Sequence, residues 1–427
     1  MLRNRVFVSA LFAVGVITSA AQSTGSSPSI NSPYTRYGLG DLTDVVFANN
    51  AAMGGIGYAF RSSEHINPMN PASYTSVDSL SFMFDVGMSL KSSNFEEGGI
   101  KSNAKNSTFD YIMAQFRLHP RLAFALGYIP YSTVGYNFSR SQEIANSGGV
   151  TNTNTFYGDG GLQQIMLGLG FKILDNLSIG ANFSYLYGGL DYQVTAVPSN
   201  GGDRTIVYNN LSVKSYKADF GVQYTQRINE NNRFTLGLAY SLGHDLNSTD
   251  RKGTRVTGSD YDQTSETRVY DSYAIPHSFG VGVSWNQGQK WMVEGDYTLQ
   301  KWSEAKYDNM MGMYADRSKV ALGAEYLPNR IGRSYLARIK YRIGAYYSTP
   351  YVKVPYQGKM VNGPKEYGVS AGFGLPLHLY QRNSVLSITG QYVHVSPSVP
   401  GMLSENRFVL KLGLTFNERW FMKWRVN

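Results

Sequence analysis

The chain has 427 residues, with 45 Gly, 32 Tyr, 21 Phe and no Cys, only 16% charged residues and a formal charge of +9. Glycine follows no three-residue period, heptads are absent and aromatics reach 14%, which excludes collagen, coiled coil and acidic disorder. Without cysteine, disulfide scaffolds, zinc ribbons and thiol catalysis are excluded as well.

Residues 1–21 read as an export signal. Arg3 and Arg5 precede an uncharged apolar stretch, Val6 to Ile17, that is too short to span a bilayer, and Ser19-Ala20-Ala21 supplies small residues for cleavage before Gln22. An exported basic chain has no use for nucleic acid. Its charge fits the anionic lipid and lipopolysaccharide of an outer membrane, or a carboxylate ligand.

Residues 22–78 form a second region, rich in turns and small residues: Ser32 to Asp41, Asn49 to Phe60, and Ile66 to Ser73. The region is too long for a leader and too apolar for a linker. It predicts an N-terminal luminal hatch, a plug folded back into a barrel. Its Asn67-Pro68 and Asn70-Pro71-Ala72 pairs stiffen turns and free asparagine side chains to bond local backbone.

From residue 79 to 416 the chain alternates. Phe82, Phe84, Val86, Met88 and Leu90 are apolar at every second position, with Asp85, Gly87, Ser89 and Lys91 between them, and only Met83 breaks the rule. Tyr216, Ala218, Phe220, Val222 and Tyr224 repeat the pattern against Lys217, Asp219, Gly221 and Gln223. A strand places the two sets on opposite faces. The spacing predicts about fourteen strands, centred near 80–91, 108–118, 121–131, 162–173, 176–188, 212–227, 232–243, 275–286, 290–301, 316–327, 335–347, 365–375, 384–395 and 405–416.

Short turns at His119-Pro120, Asp175-Asn176, Asn229 to Asn232 and Gln287 to Gln289 alternate with long polar stretches at 132–160, 189–210, 244–273, 302–315 and 348–364. A soluble sandwich or propeller would lack that rhythm. The prediction is an all-β protein, a transmembrane antiparallel β-barrel with short periplasmic turns and long external loops. No later stretch has the roughly 20 apolar residues of a membrane helix.

The final strand alternates through Phe408, Leu410, Leu412, Leu414 and Phe416, and Lys411 to Phe416 resembles the last-strand signal read by barrel-assembly machinery. Residues 417–427 interleave Trp420, Phe421 and Trp424 with Arg419, Lys423 and Arg425, as a periplasmic interfacial tail would.

Met53 to Phe60, then Asn70-Pro71-Ala72, then an alternating strand from Ser79, resemble the N-terminal hatch and first strand of the FadL-like outer-membrane transporters. The opening Ser32 to Leu42 segment and the aromatic tail resemble Bacteroidetes-type variants. The resemblance implies a fourteen-stranded barrel with a luminal hatch and passive uptake of hydrophobic compounds such as long-chain fatty acids. The alternative, from the Bacteroidetes setting, is a non-transporting accessory barrel, a scaffold subunit of secretion or surface-protein machinery that binds a protein partner through its external loops.

The resemblance also implies a kinked third strand with a lateral opening, and Pro130 and Gly135 stand where it would form. The alternative is that Pro130 ends the strand at the outer rim. Arg338, Lys340 and Arg342 alternate on one predicted strand, so all three point into the lumen. They either contact a carboxylate ligand or pair with the luminal acids Glu294, Asp296 and Glu325.

Enzyme signatures are thin. The six histidines are scattered, and His244-Asp245 point oppositely if they lie on a strand. Asp260-Tyr261-Asp262 with Glu266 lacks the spacing of a calcium loop, and Gly54-Gly55-Ile56-Gly57 precedes no strand-helix unit, so neither metal nor cofactor is predicted.

Overall fold

The computed structural model describes residues 31–79, 81–144, 148–258, 262–379 and 382–419. The export signal and the tail from Trp420 onward therefore lie outside the described residues, as do Asp260 and Tyr261.

Fourteen strands make the barrel. They are β1 (Ser81–Glu97), β2 (Ile100–His119), β3 (Leu122–Glu143), β4 (Thr151–Lys172), β5 (Leu177–Pro198), β6 (Arg204–Arg227) and β7 (Asn232–Ser241). The ring continues with β8 (Ser278–Gln287), β9 (Trp291–Gln300), β10 (Arg317–Tyr326), β11 (Lys340–Ser348), β12 (Lys365–Leu379), β13 (Arg382–Ser396) and β14 (Ser404–Arg419). Each pairs antiparallel with the next, and β14 closes on β1 through a register that sets Phe84 opposite Phe416. β14 runs three residues past the predicted end, so Asn417, Glu418 and Arg419 belong to the wall rather than to a tail.

Alternation sets the faces, and the polar set is the buried one. On β1, Asp85 is 1% exposed whereas Leu90 is 48% exposed; on β6, Gln223 is buried between the exposed Val222 and Tyr224. A water-soluble sheet buries the apolar face. Here that face is outermost, and only a lipid surround makes such a chain stable. Aromatic pairs flank the apolar belt at both ends, Trp291 with Tyr326 and Phe116 with Phe124 at the short-turn end, Tyr392 with Phe408 and Tyr347 with Tyr367 at the other.

The wall is uneven in height. β3, β4 and β5 have 22 residues each and β6 has 24, whereas β7 to β10 have ten each. Ten tilted residues already cross the hydrocarbon, so the tall strands project beyond it. The stretches 132–160 and 189–210, expected as loops, are therefore mostly strand. Their Thr, Ser and Asn mark departure from lipid and not the end of pairing: Ser139 and Ser141 bond across to Thr155 and Thr153 at 2.9 Å each. Where β7 stops, a hairpin of Ser248–Thr257 and Asp262–Tyr270 takes over pairing with the upper half of β6.

The stretch 302–315 folds over the same end, and Trp302, Tyr314 and Tyr351 pack there with Leu39, Leu162 and Leu211 into a buried apolar cap. A second cluster near the opposite end centres on Phe47, Ile66, Tyr74, Met83 and Met113, with the Phe47 and Tyr111 rings stacked at 3.7 Å.

Candidate functional site

Residues 31–79 contain little regular structure: a 3-10 turn at Pro33–Arg36, a two-residue strand at Asp41–Leu42, one helical turn at Ala48–Ala51 and a 3-10 turn at Pro71–Ser76. Wall side chains satisfy much of their backbone. Asp296 Oδ2 accepts the N–H of Gly57 at 2.6 Å and of Tyr58 at 3.0 Å, and Glu294 Oε1 accepts that of Ala59 at 2.9 Å. Gln115 donates to the Tyr74 carbonyl, Gln223 to Tyr58, Thr389 to Ala48 and Gln391 to Ala51, all within 2.9 Å. These donors and acceptors come from β2, β6, β9 and β13, so the segment is tied to widely separated parts of the ring.

The asparagine-proline pairs sit at the centre of this packing. Asn70 caps the Pro71–Ser76 turn, its Oδ1 accepting the Ala72 N–H at 3.1 Å, with Pro71 at the first position where a missing N–H does no harm. Its Nδ2 donates to the carbonyls of Tyr58 at 2.7 Å and of Val222 and Leu238 at 3.2 Å. Asn67 Nδ2 donates to Gly57 at 2.6 Å and Phe60 at 3.1 Å. The Pro68 carbonyl accepts from Asn182 Nδ2 at 3.1 Å, and Ala72 is fully buried.

Close approach depends on glycines in the wall. A Cβ on Gly180 would overlap Pro71, on Gly221 the Asn70 side chain, on Gly237 the Tyr58 carbonyl, and on Gly344 the backbone of Met53. The sequence marks neither these glycines nor the acceptors Glu294 and Asp296 as ligands of the segment; the available signal is glycine and acid at inward positions of otherwise bulky strands.

Ion pairs fasten the segment further. Asp44 reaches Arg317 at 3.0 Å and Lys319 at 2.7 Å, and although burial pushes its carboxyl up, these two cations outweigh it and hold it well below the usual range. Glu64 pairs with Lys340 at 2.7 Å and Arg330 at 2.8 Å. Lys340 first, with help from Arg330 and against the effect of burial, lowers Glu64 to about 2. His65 Nε2 faces Arg342 at 3.0 Å, and burial, then Arg342, hold the ring well below its ordinary pKa.

The three cations expected on one strand are divided. Arg338 ends a 3-10 turn, Leu336–Arg338, ahead of β11, with its guanidinium 5.6 Å from the Tyr335 ring centre. Lys340 and Arg342 do lie on β11, and Arg342 meets Glu325 at 2.7 Å. Among the expected acid partners Glu325 thus pairs with a cation, whereas Glu294 and Asp296 bind backbone N–H groups.

Pro130 does not end its strand, which runs on to Glu143. Instead the β3–β4 register slips between Pro130 and Ser132, and the β2–β3 ladder stops at Ile112 opposite Tyr128. Beyond that point β3 pairs with the N-terminal segment: Asp41 and Leu42 lie opposite Thr133 and Ser132, and Gly135 accepts from the Ser32 N–H at 3.0 Å. A cavity of about 450 Å³ reaches this seam, bordered by Thr108 and Phe109 on one side and Tyr128 and Pro130 on the other. Its lining mixes charged side chains, Asp41, Asp44, Lys91, Arg317, Lys319, Glu366 and Arg407, with apolar ones such as Leu42, Val352, Val393 and Val409.

A serine-histidine pair occurs at the rim, Ser215 Oγ to His244 Nε2 at 3.3 Å, but the buried His244 Nδ1 has no partner among the described residues. The carboxylate that orients a catalytic imidazole is missing there.

The fold is that of FadL-type barrels. The chain is similar to a Pseudomonas aeruginosa FadL homologue (13% identity, TM-score 0.60, 88% of this chain and 99% of that one). It is also similar to the Pseudomonas putida toluene transporter TodX (13%, 0.59, 90% and 100%) and to the CymD monoaromatic hydrocarbon channel (14%, 0.56, 89% and 98%). No curated protein sequence matches. A family model does match, that of BamG, over residues 1–427, and the chain belongs to the BamG family.

Proposed function

We propose that this outer-membrane barrel serves as a scaffold subunit of a protein complex, with the barrel-assembly machinery, whose prefix the family name carries, as its partner. The observation behind this reading is the filled lumen. Residues 31–79 act as a hatch tied to the wall by carboxylates, amides and hydroxyls, an apolar cluster packs at the long-strand end, and the cavity beside Pro130 carries many charged side chains in its lining. A path for an apolar solute would need a lining without so many charges. In the outer-membrane convention the tall strands and long connections face outward and the short turns face the periplasm.

The test is purification of the full chain from its own outer membrane in mild detergent. Recovery of barrel-assembly subunits in fixed ratio supports the proposal; a chain that purifies alone, with bound lipid or hydrocarbon, overturns it.

A second reading is passive uptake of hydrophobic compounds, fatty acids among them. It is favoured by the seam beside Pro130, where the cavity meets the gap between β2 and β3. Uptake of a labelled alkylbenzene or fatty acid that falls on deletion of the chain would favour it.

A further inference from the structure

β2 carries a long strand edge that no described residue occupies. Its ladder to β1 slips once, at Asp110, and is then unbroken from Phe109 to the Gly98-Gly99 turn, where Glu97 lies opposite Ile100, but its ladder to β3 begins only at Ile112. Ile100–Phe109 therefore has one neighbour, over a length of about 33 Å. β3 parts from it at the Pro130 irregularity and turns to the N-terminal segment, so the two strands do not meet again along the projecting wall.

The direction of the free groups follows from the hairpin. Gly98 and Gly99 both have positive φ, 57° and 83°, as a two-residue type I′ turn requires. Such a turn makes Glu97 and Ile100 the hydrogen-bonded pair, and the pattern then alternates. Ser102 and Ala104 point their backbone groups at β1. Lys101, Asn103, Lys105 and Ser107 point theirs away, toward the vacant side.

Long exposed edges of this kind are normally blocked by proline, a bulge, a covering loop or charged side chains, lysine above all. This one has no proline or covering loop among the described residues, and its charges are Lys101 and Lys105 on one face of the strand, Lys101 in an exposed and therefore weak pair with Glu96 at 3.7 Å that an incoming acid can replace. The facing edge of β3 shows what such a site accepts, since Asp41 and Leu42 already add to it as a short strand with an acid at its head.

We propose that the Ile100–Phe109 edge is a strand-addition site, taking an extended segment of a partner polypeptide that carries acidic side chains opposite Lys101 and Lys105. Backbone groups of Lys101, Asn103, Lys105 and Ser107 supply the ladder, and the lysines set the register. The inference rests on the scaffold reading, to which it adds the place and the chemistry of contact.

The experiment compares backbone amide exchange of the full chain in native outer-membrane vesicles and after purification in detergent. Slowing by about tenfold or more in vesicles is expected at Lys101, Asn103, Lys105 and Ser107, while Ser102 and Ala104 exchange slowly in both. Lys105→Pro removes one outward donor without touching the β1 ladder and is expected to release protection at Asn103 and Ser107 with the folded barrel undiminished. The double change Lys101→Glu and Lys105→Glu is expected to do the same. Equal exchange in vesicles and detergent overturns the proposal, as does protection that rises with concentration of the purified chain, which would make the occupant a second copy. If the partner complex still co-purifies with Lys105→Pro while the edge is unprotected in the unsubstituted chain, the strand-addition site fails and the scaffold reading stands.

Discussion

Asp296, on the wall, accepts the backbone N–H of Gly57 at 2.6 Å and of Tyr58 at 3.0 Å, so one carboxylate replaces the pairing that two consecutive residues of an irregular segment would otherwise lack. Asp296→Ala leaves both N–H groups buried without an acceptor, at about 1–3 kcal/mol for each. Residues 31–79 are then expected to be cut faster by protease in the detergent-solubilised protein. The heat-modifiable mobility of the barrel should not change, because the β8–β9 and β9–β10 ladders are backbone only. Unchanged proteolysis would mean that Asp296 is not a tether.

Gly237 and Gly344 test the fit from the other side. Leucine at Gly237 would occupy the position of the Tyr58 carbonyl, and valine at Gly344 that of the Met53 backbone. Both strands tolerate such side chains in themselves, so the barrel is expected to assemble with its N-terminal segment displaced. A crosslink between cysteines placed at Ala59 and Ser284, neighbours through the Ser284 hydroxyl bonded to the Ala59 carbonyl at 3.4 Å, should form in the parent chain and be lost in Gly237→Leu.

The fourteen strands were legible because lipid imposes one rule on every outward position, and Leu90, Val222 and Leu410 each obey it. Strand ends were less legible. Beyond the membrane the outward rule lapses, so Thr151 to Tyr157 has a loop's composition and a strand's pairing. The centre of the N-terminal segment was legible at Asn67 and Asn70 because asparagine before proline marks a capped turn. Its partners were not, since Asp296 and Gly237 look locally like any inward acid or small residue and take their meaning from residues more than 170 positions away. Arg338 was misplaced by extending the alternation of β11 two residues too far, into a turn.

Acid should loosen the segment. His65 is docked as the neutral ring, its Nε2 toward the Arg342 guanidinium, and its pKa lies below the ordinary value of about 6.5. Its contribution to docking is therefore complete above that value and declines as pH falls below it. Glu64, lowered to about 2, contributes fully above about 4.5 and loses its contribution as pH falls toward 2. Protease sensitivity of residues 31–79 is expected to rise in two stages on acidification, and His65→Gln should remove the first stage. A profile that is flat between pH 7 and 4 would show that His65 does not control docking.

The orientation of the barrel has its own check. An epitope inserted after Gly258, at the tip of the projecting hairpin, should be reached by antibody on intact cells, and one at Asn176, in the tight turn between β4 and β5, should not. The reverse labelling would invert the assignment of the two ends.

Asn70 separates the two functional readings. Asn70→Ala removes the cap on Ala72 and three carbonyl contacts, among them Val222 and Leu238 of the wall, and Pro71→Gly in the same chain frees the turn it begins. With buried carbonyls left unmatched, the double variant is expected to weaken docking by roughly 1–3 kcal/mol, while the strand ladders and the outward residues stay as they are. If the segment gates a conduit, uptake of a hydrophobic compound or leakage of small solutes should change at constant amounts of folded barrel. If the barrel is a scaffold, permeability stays near its parent value, because the apolar cluster of Trp302, Tyr314 and Tyr351 still packs at the long-strand end, and partner recovery is retained. Failure of the double variant to assemble at all would instead place residues 31–79 within the folding core and end their description as a separable hatch.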